Sequence, residues 1–255
     1  MFNARYFTYD GVWSGDYGLE LADFENDSVR ETDAFTPNLS VLKAPSLVRF
    51  FHGGVEYDAA PTCTFSIISQ HEIPGETRSK ILSWLVGRNE FKPLIFEDGD
   101  NEHFVYYCVF TSASTIWVNG ECHGFRLTGS LDSQFARGTP TTAVAGSGTS
   151  TIIIENKSDI ADGYTYPLVV FTGSSVSITN NTDDATRTFA FTQLGANETV
   201  RVDNELKTIK SSTGEKRLAN FNKNWLRLCP GINTLSVVAT GDVVIVCPWY
   251  AMIGY

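Results

Sequence analysis

Histidine, cysteine and carboxylate side chains most often carry acid–base or metal chemistry, and in this chain they are scattered. Only two histidines have a candidate partner beside them, in the dipeptides His71-Glu72 and Cys122-His123. Neighbouring residues on a strand point to opposite faces of a sheet, so neither pair forms a chelating unit by itself. The pattern therefore predicts ordinary surface or core positions for the four histidines, which are His52, His71, His103 and His123.

The acidic run from Glu97 to Glu102 has alternating oxygen-bearing side chains around a glycine, as calcium loops do. It lacks the closing glutamate at the required spacing and lies between two predicted strands, which favours a hairpin tip. The sequence also contains no Gly-rich phosphate loop, no GxSxG elbow and no HExxH helix. We therefore predict no catalytic, cofactor-binding or metal-binding residue, and no enzyme.

Three aromatic residues of the second half, Trp225, Trp249 and Tyr250, raise the question of sugar binding. Flat aromatic faces can stack on sugar rings, but a tryptophan in a β-sandwich more often belongs to the core. Both interpretations stay open from the sequence. Trp249 and Tyr250 are the candidate carbohydrate-binding residues.

The negative charge of the chain is concentrated in its first half. The formal net charge is −10, and residues 1–140 carry 10 Lys and Arg against 19 Asp and Glu, whereas residues 141–255 carry 9 against 10. A nucleic-acid interface usually needs a basic patch that releases phosphate counterions, and these totals give it no support.

The cysteines and the apolar runs indicate the compartment. Five cysteines without CxxC spacing predict reduced thiols rather than a disulfide framework or a zinc ribbon. The first residues contain no apolar run of signal-peptide length, and no stretch approaches the ~18 apolar residues of a membrane span. We expect a protein that folds in a cytoplasm and has no membrane partner.

Alternation of apolar and polar residues predicts a mainly β first half with one helix. Asp10-Gly11 predicts an opening β-hairpin, and Asn119-Gly120 predicts a second tight turn. The alternation from Thr62 to Ile67 is that of a half-buried strand. Between Pro74 and Gly87, early acid, a later apolar face and a closing glycine predict the helix. The polar stretch from Asp23 to Asp33 predicts a long loop or arm.

A segment of small residues divides the sequence. Residues 136–151 read ARGTPTTAVAGSGTST, a composition typical of linkers. We place an N-terminal domain at 1–137, a linker at 138–150 and a C-terminal domain at 151–255. The last ~105 residues hold seven or eight short β segments and no convincing helix, which predicts a sandwich or jelly roll.

Segments of both halves follow an informative order. In the first half they are YDGVWSGDYGLEL at 9–21, RSKILSWLVG at 78–87, KPLIFEDGDNEHFVYYCVF at 92–110 and FRLTGSLDS at 125–133. In the second half, Tyr166-Pro167 precedes WLRLCPGIN at 225–233. This order resembles the siphophage distal tail proteins, in which a galectin-like β-sandwich follows an N-terminal ring domain.

The resemblance implies a structural protein of the phage baseplate. In that family the N-terminal domain, a β-sandwich-like fold with one helix, forms a hexameric ring around the tail channel. The galectin-like or jelly-roll sandwich projects outward as an attachment platform. The implied partners are further copies of the chain, the tail tube protein, the tail hub or tail-associated protein and a receptor-binding protein. DNA would pass through the channel without specific binding, and the protein would reside at the tail tip of the virion.

Two other functions remain as alternatives. A carbohydrate-binding module that contacts the host cell envelope would need Trp249 or Tyr250 exposed on a groove, and a tail-associated hydrolase would need paired carboxylates in a cleft. Galactoside binding is not favoured, because the nearest match to the galectin segment WGxExR is Asn224 to Leu228, which lacks the acid and the following arginine.

The acidity of the first half has a role in the ring interpretation. We expect it to line part of the channel, because a negative wall repels DNA phosphate. The candidate residues lie within Asp23–Asp33 and Glu97–Glu102.

Overall fold

The computed structural model describes residues 4–22, 38–42, 51–56, 60–97, 103–160 and 163–252, and for 38–42 and 51–56 it describes the backbone alone. The chain divides into two compact units, residues 1–136 with 252–255, and residues 137–251. Strands dominate both units, and α1 (Gly75–Val86) is the one α-helix of the described ranges. The predicted mainly β fold with one helix is confirmed.

The first unit is built on a seven-stranded antiparallel sheet. Its strand order is β2-β1-β7-β8-β9-β6-β3, and β4 and β5 form a separate pair. The strands of this unit are β1 (Phe7–Tyr9), β2 (Val12–Trp13), β3 (Leu19–Ala22), β4 (Asn38–Leu42), β5 (Phe51–Glu56), β6 (Thr62–Ser69), β7 (Lys92–Phe96), β8 (Tyr106–Val118) and β9 (Glu121–Leu131).

The sheet curls until its last strand reaches the chain that leads into β1. The amide of Leu21 on β3 donates to the carbonyl oxygen of Arg5 at 2.8 Å, and the amide of Glu97 donates to that of Tyr6 at 2.9 Å. The Arg5 guanidinium also binds both carboxylate oxygens of Glu20 on β3. The contacts of β3 with Arg5 bring the two ends of the strand order together, whereas the Glu97 bond extends the pairing of β1 with β7. The buried side chains therefore lie inside a curved sheet.

Two tight hairpins of this unit form as the sequence predicts. Asp10 and Gly11 between β1 and β2 both have positive φ (51° and 76°), as do Asn119 and Gly120 between β8 and β9 (52° and 89°). Two consecutive left-handed residues define the type I′ turn, whose twist matches that of the flanking strands.

An aromatic core fills the curved sheet, and α1 covers it. The ring of Trp84 on α1 stacks on Phe7 with the centroids 5.9 Å apart, and its Nε1 donates to the carbonyl oxygen of Tyr9 at 2.9 Å. Phe65 packs edge-on against Phe7 and Phe110. Aromatic packing thus fixes the helix on the sheet.

The second unit is a sandwich of two antiparallel sheets around an aliphatic and aromatic core. One sheet has the order β10-β18-β12-β15-β16 and the other β11-β17-β13-β14. The predicted C-terminal β-sandwich is confirmed. Its strands are β10 (Ala136–Ala145), β11 (Gly148–Asn156), β12 (Leu168–Thr172), β13 (Val176–Asn180), β14 (Thr188–Phe191), β15 (Thr199–Asp203), β16 (Thr208–Ser211), β17 (Gly231–Ala239) and β18 (Val243–Ala251).

The structure differs from the predicted linker at residues 138–150. This stretch belongs to β10 and to the start of β11, and β10 is the outer strand of the five-stranded sheet beside β18. Its small residues pack inward, with Ala143 and Ala145 in the core of the second unit. Gly138 also leaves room for the ring of Trp249, which a Cβ at that position would overlap. Small residues here therefore serve close packing in an edge strand.

Several predictions fall wholly or partly outside the described ranges. They are the arm at Asp23–Asp33, most of the acidic run Glu97–Glu102, and the part of the predicted strand Leu47–Phe51 that precedes β5.

Candidate functional site

In the described ranges, the histidine, cysteine and carboxylate side chains form no group of three or more that could hold a metal ion. His71 and His103 are exposed, and the Nε2 of His123 lies 3.7 Å from a carboxylate oxygen of Glu121, which is itself largely exposed. The side chain of His52 lies outside the described part of the structure. All five cysteines are free thiols.

Two buried thiols face each other across the strand β9. The Sγ atoms of Cys63 on β6 and Cys108 on β8 are 3.9 Å apart, and Gly129 of β9 lies between the two strands. The hydrogen bond with Cys63 and burial raise the pKa of the Cys108 thiol, so Cys108 stays protonated. Strands two positions apart are separated by roughly 9–10 Å, which exceeds the Cα separation of a disulfide. This cluster is core packing.

Trp249 and Tyr250, the candidate sugar-binding residues, lie next to each other on β18 and are each half-buried. The Trp249 ring packs over Gly138, and Lys157 Nζ lies 5.5 Å from the ring centroid. Tyr250 donates its hydroxyl hydrogen to Glu205 at 2.8 Å, and burial together with this bond raises its pKa. Adjacent strand residues point to opposite faces, so the two rings do not form a common stacking surface.

Residues 224–227, within the nearest match to the galectin segment, line a shallow recess. The Arg227 guanidinium binds Asp183 through two hydrogen bonds of 2.7 and 3.1 Å and lies 3.9 Å from the centroid of the Tyr164 ring. Arg187 donates to the carbonyl oxygen of Trp225 at 2.9 Å. The charged groups of the recess are therefore already paired within the protein.

Buried amides hold the same segment from behind. Asn180 donates to the carbonyl oxygen of Arg227 at 3.0 Å and to Oδ1 of Asn233 at 2.9 Å. Asn156 donates to the carbonyl oxygen of Cys229 at 3.1 Å. A buried polar group is costly unless it is hydrogen-bonded, and these three asparagines meet that condition while fixing the backbone of the segment. The sequence motif at 225–233 thus has a structural role.

A buried ion pair braces another edge of the sandwich. Glu198, 3% exposed, accepts two hydrogen bonds from the Arg217 guanidinium, at 2.7 and 2.8 Å, and one from the Ser211 hydroxyl. The Arg217 and Ser211 hydrogen bonds lower the pKa of Glu198 to about 2. Every partner belongs to the same unit, so this cluster ties loops together.

The β8–β9 hairpin carries an exposed apolar tip. Trp117 is 56% exposed, more than any other described aromatic residue, and Val118 beside it is 48% exposed. Arg78 of α1 lies against the Trp117 ring, 5.3 Å from its centroid. We call Arg78, Trp117 and Val118 the hairpin tip.

A second apolar surface lies on the outer face of β2, β1 and β7. Thr8 pairs with both Trp13 and Ile95, which places these residues on the face opposite the buried Phe7 and Tyr9. The Trp13 ring lies 5.0 Å from that of Tyr6, with Pro93 one position along the same face of β7. We call Tyr6, Trp13, Pro93 and Ile95 the outer patch.

Comparison with known families assigns both units to phage tails. A family model described as a phage tail protein N-terminal domain matches residues 2–133, and one described as a phage tail C-terminal domain matches residues 138–247. The chain belongs to this family of phage tail proteins. It is a structural component of the virion tail. No curated protein matches the sequence.

Solved structures of phage tail proteins have folds similar to that of this chain. The chain is similar to the Dit protein of phage SPP1, described as a paradigm of the hub adsorption apparatus in phages that infect Gram-positive bacteria, with a TM-score of 0.70 and 16% identity over 96% of this chain and 98% of that one. It is also similar to a chain of the phage P2 baseplate in its activated conformation with calcium, with a TM-score of 0.54 and 6% identity over 97% and 98%. The predicted resemblance to siphophage distal tail proteins is confirmed.

Sequence reasoning missed the two exposed surfaces of the first unit. The sequence places Trp117 and Trp13 in predicted strands but does not predict that their side chains are exposed. Alternation of apolar and polar residues does not tell which face an aromatic side chain occupies where the strand pairing is irregular. The pairing of β8 with β9 is irregular between Phe110 and Ser112, where Thr111 has no partner in the register, and this extra residue moves Trp117 to the side of Arg78. A shift of one residue exchanges the faces of a strand.

Proposed function

We propose that this chain is a distal tail protein that assembles through its first unit into a closed, hexameric ring. The ring joins the tail tube to the tail hub and the receptor-binding apparatus. The observation that carries the proposal is the fold similarity to SPP1 Dit, which extends over 96% of this chain and 98% of that one and so includes both units. A shared two-unit fold along the whole chain supports a shared architectural role.

The second unit serves as a docking platform for another baseplate protein, without enzymatic activity. The hydrolase alternative calls for paired carboxylates in a cleft, whereas Asp183 in the described recess is bound by Arg227. The carbohydrate alternative calls for an open aromatic platform, whereas the Trp249 ring packs on Gly138 and the Tyr250 hydroxyl binds Glu205. A galectin-like sandwich used as an adaptor fits these contacts better.

The negative charge of the first half fits a channel that DNA crosses. Residues 1–140 have nine more carboxylates than basic side chains. Glu97, the described member of the candidate acidic run, is exposed. A wall of this sign repels phosphate and limits adhesion of the genome during passage.

Native mass spectrometry of the purified full-length chain, together with negative-stain images, tests the proposal. We expect a six-copy species that appears as a ring with a central channel. A monomer that persists at the highest soluble concentration, with no ring in tail tips purified from virions, would overturn the hub role. A ring whose lumen is lined by basic side chains would overturn the channel proposal alone.

A further inference from the structure

We draw no further inference here: the strongest candidate, the outer face of the four-stranded sheet of the second unit, where Ile153 on β11 and Ile232 and Val238 on β17 are exposed, is an apolar surface, and nothing in the structure shows what covers it.

Discussion

Trp84 and Tyr9 are joined by a hydrogen bond of 2.9 Å from the indole Nε1 to the backbone carbonyl oxygen, in the buried space between α1 and β1. Tyr9 is the last residue of β1 before the Asp10-Gly11 turn, so this bond ties the helix to the opening hairpin. Arg88, just after the helix, adds an ion pair with Asp10 at 2.7 Å. The first hairpin and the helix are therefore expected to unfold together.

Trp84→Phe is expected to destabilise the first unit, because the replacement keeps an aromatic ring near Phe7 but removes the indole hydrogen bond to the buried Tyr9 carbonyl oxygen, which keeps its pairing with Val12 across the turn. A hydrogen bond of this kind typically contributes about 0.5–1.5 kcal/mol. Urea unfolding followed by circular dichroism measures the loss. Trp13→Phe, at a partly exposed tryptophan of the same unit, is the control and should change stability by less. Equal losses for the two variants would argue against a special role for the hydrogen bond.

Gly129→Ala is expected to destabilise the same unit by steric conflict. A Cβ at this position would overlap Cys108 Sγ and would lie 3.1 Å from the Phe110 ring. Overpacking of this kind typically costs about 1–3 kcal/mol. The double variant Gly129→Ala, Cys108→Ala should recover part of the loss, because it removes the sulfur that the methyl group meets. A double-mutant cycle on unfolding free energies gives the coupling, and purely additive losses would contradict the steric account.

The pair Glu198–Arg217 predicts a dependence of stability on pH. The hydrogen bonds from Arg217 and Ser211 lower the folded-state pKa of Glu198 from 4.5 to about 2. Because the pKa of Glu198 is lower in the folded state than in the unfolded state, the ion pair stabilises the fold fully at a pH above the unfolded-state pKa. This stabilisation falls as the pH drops from about 4.5 towards 2 and Glu198 becomes protonated. Thermal unfolding measured from about pH 6 to about pH 2.5, roughly the range of that linkage, should show this decline.

Glu198→Gln tests the assignment of that decline. The variant should be less stable than the wild type at neutral pH and should lose less stability on acidification. Glu215→Gln is the matched control, because Glu215 also contacts Arg217, at 2.9 Å, but its side chain is 64% exposed. If Glu198→Gln loses as much stability on acidification as the wild type does, the pH dependence of stability comes from other carboxyl groups.

The strand β10 predicts where the second unit can be cut. A fragment that begins at Ala136 keeps β10 beside β18, whereas a fragment that begins at residue 150 removes β10 and the start of β11. We expect the longer fragment to unfold cooperatively and the shorter one to melt at a lower temperature or to aggregate through its newly exposed edge. Differential scanning calorimetry of both fragments compares them, and equal melting temperatures would contradict the importance of β10.

The longer fragment also tests the platform role. We expect it to bind a tail-hub or receptor-binding protein in a pull-down with defined baseplate proteins, and to give no specific signal on a glycan array. Specific glycan binding that disappears in Trp249→Ala would instead favour the carbohydrate alternative. Trp225→Phe provides a comparison at the recess, where the wild-type ring packs edge-on against Phe221.

Local signals in the sequence predicted much of the fold. The helix at α1 and both type I′ turns follow from residues close together in the chain, where the acid, the apolar face and the Asp-Gly or Asn-Gly pair act directly. The small residues of β10 predict a linker by composition alone, because an edge strand that packs closely against Trp249 has the same composition as a flexible segment. The amino-acid composition of a segment does not show which side chain its backbone packs against in the fold.

Long-range features lay beyond such signals. The bond from Leu21 to Arg5 that curls the first sheet joins residues whose pairing depends on the whole strand order. The candidate sites depend on long-range packing too. The sequence singles out Trp249 as a candidate sugar-binding residue but does not predict that its ring packs on Gly138. The position of Trp117 follows from an irregularity in the pairing of β8 with β9.

The two thiols that flank β9 bear on how the protein tolerates its surroundings. Cys63 and Cys108 have their sulfur atoms 3.9 Å apart, yet the intervening strand keeps their backbones too far apart to be bridged. Both are buried, so dissolved oxidants do not reach them readily. When a tail particle passes from a reducing medium to an oxidising one, this core would therefore stay unchanged, because no disulfide bond forms or breaks in it.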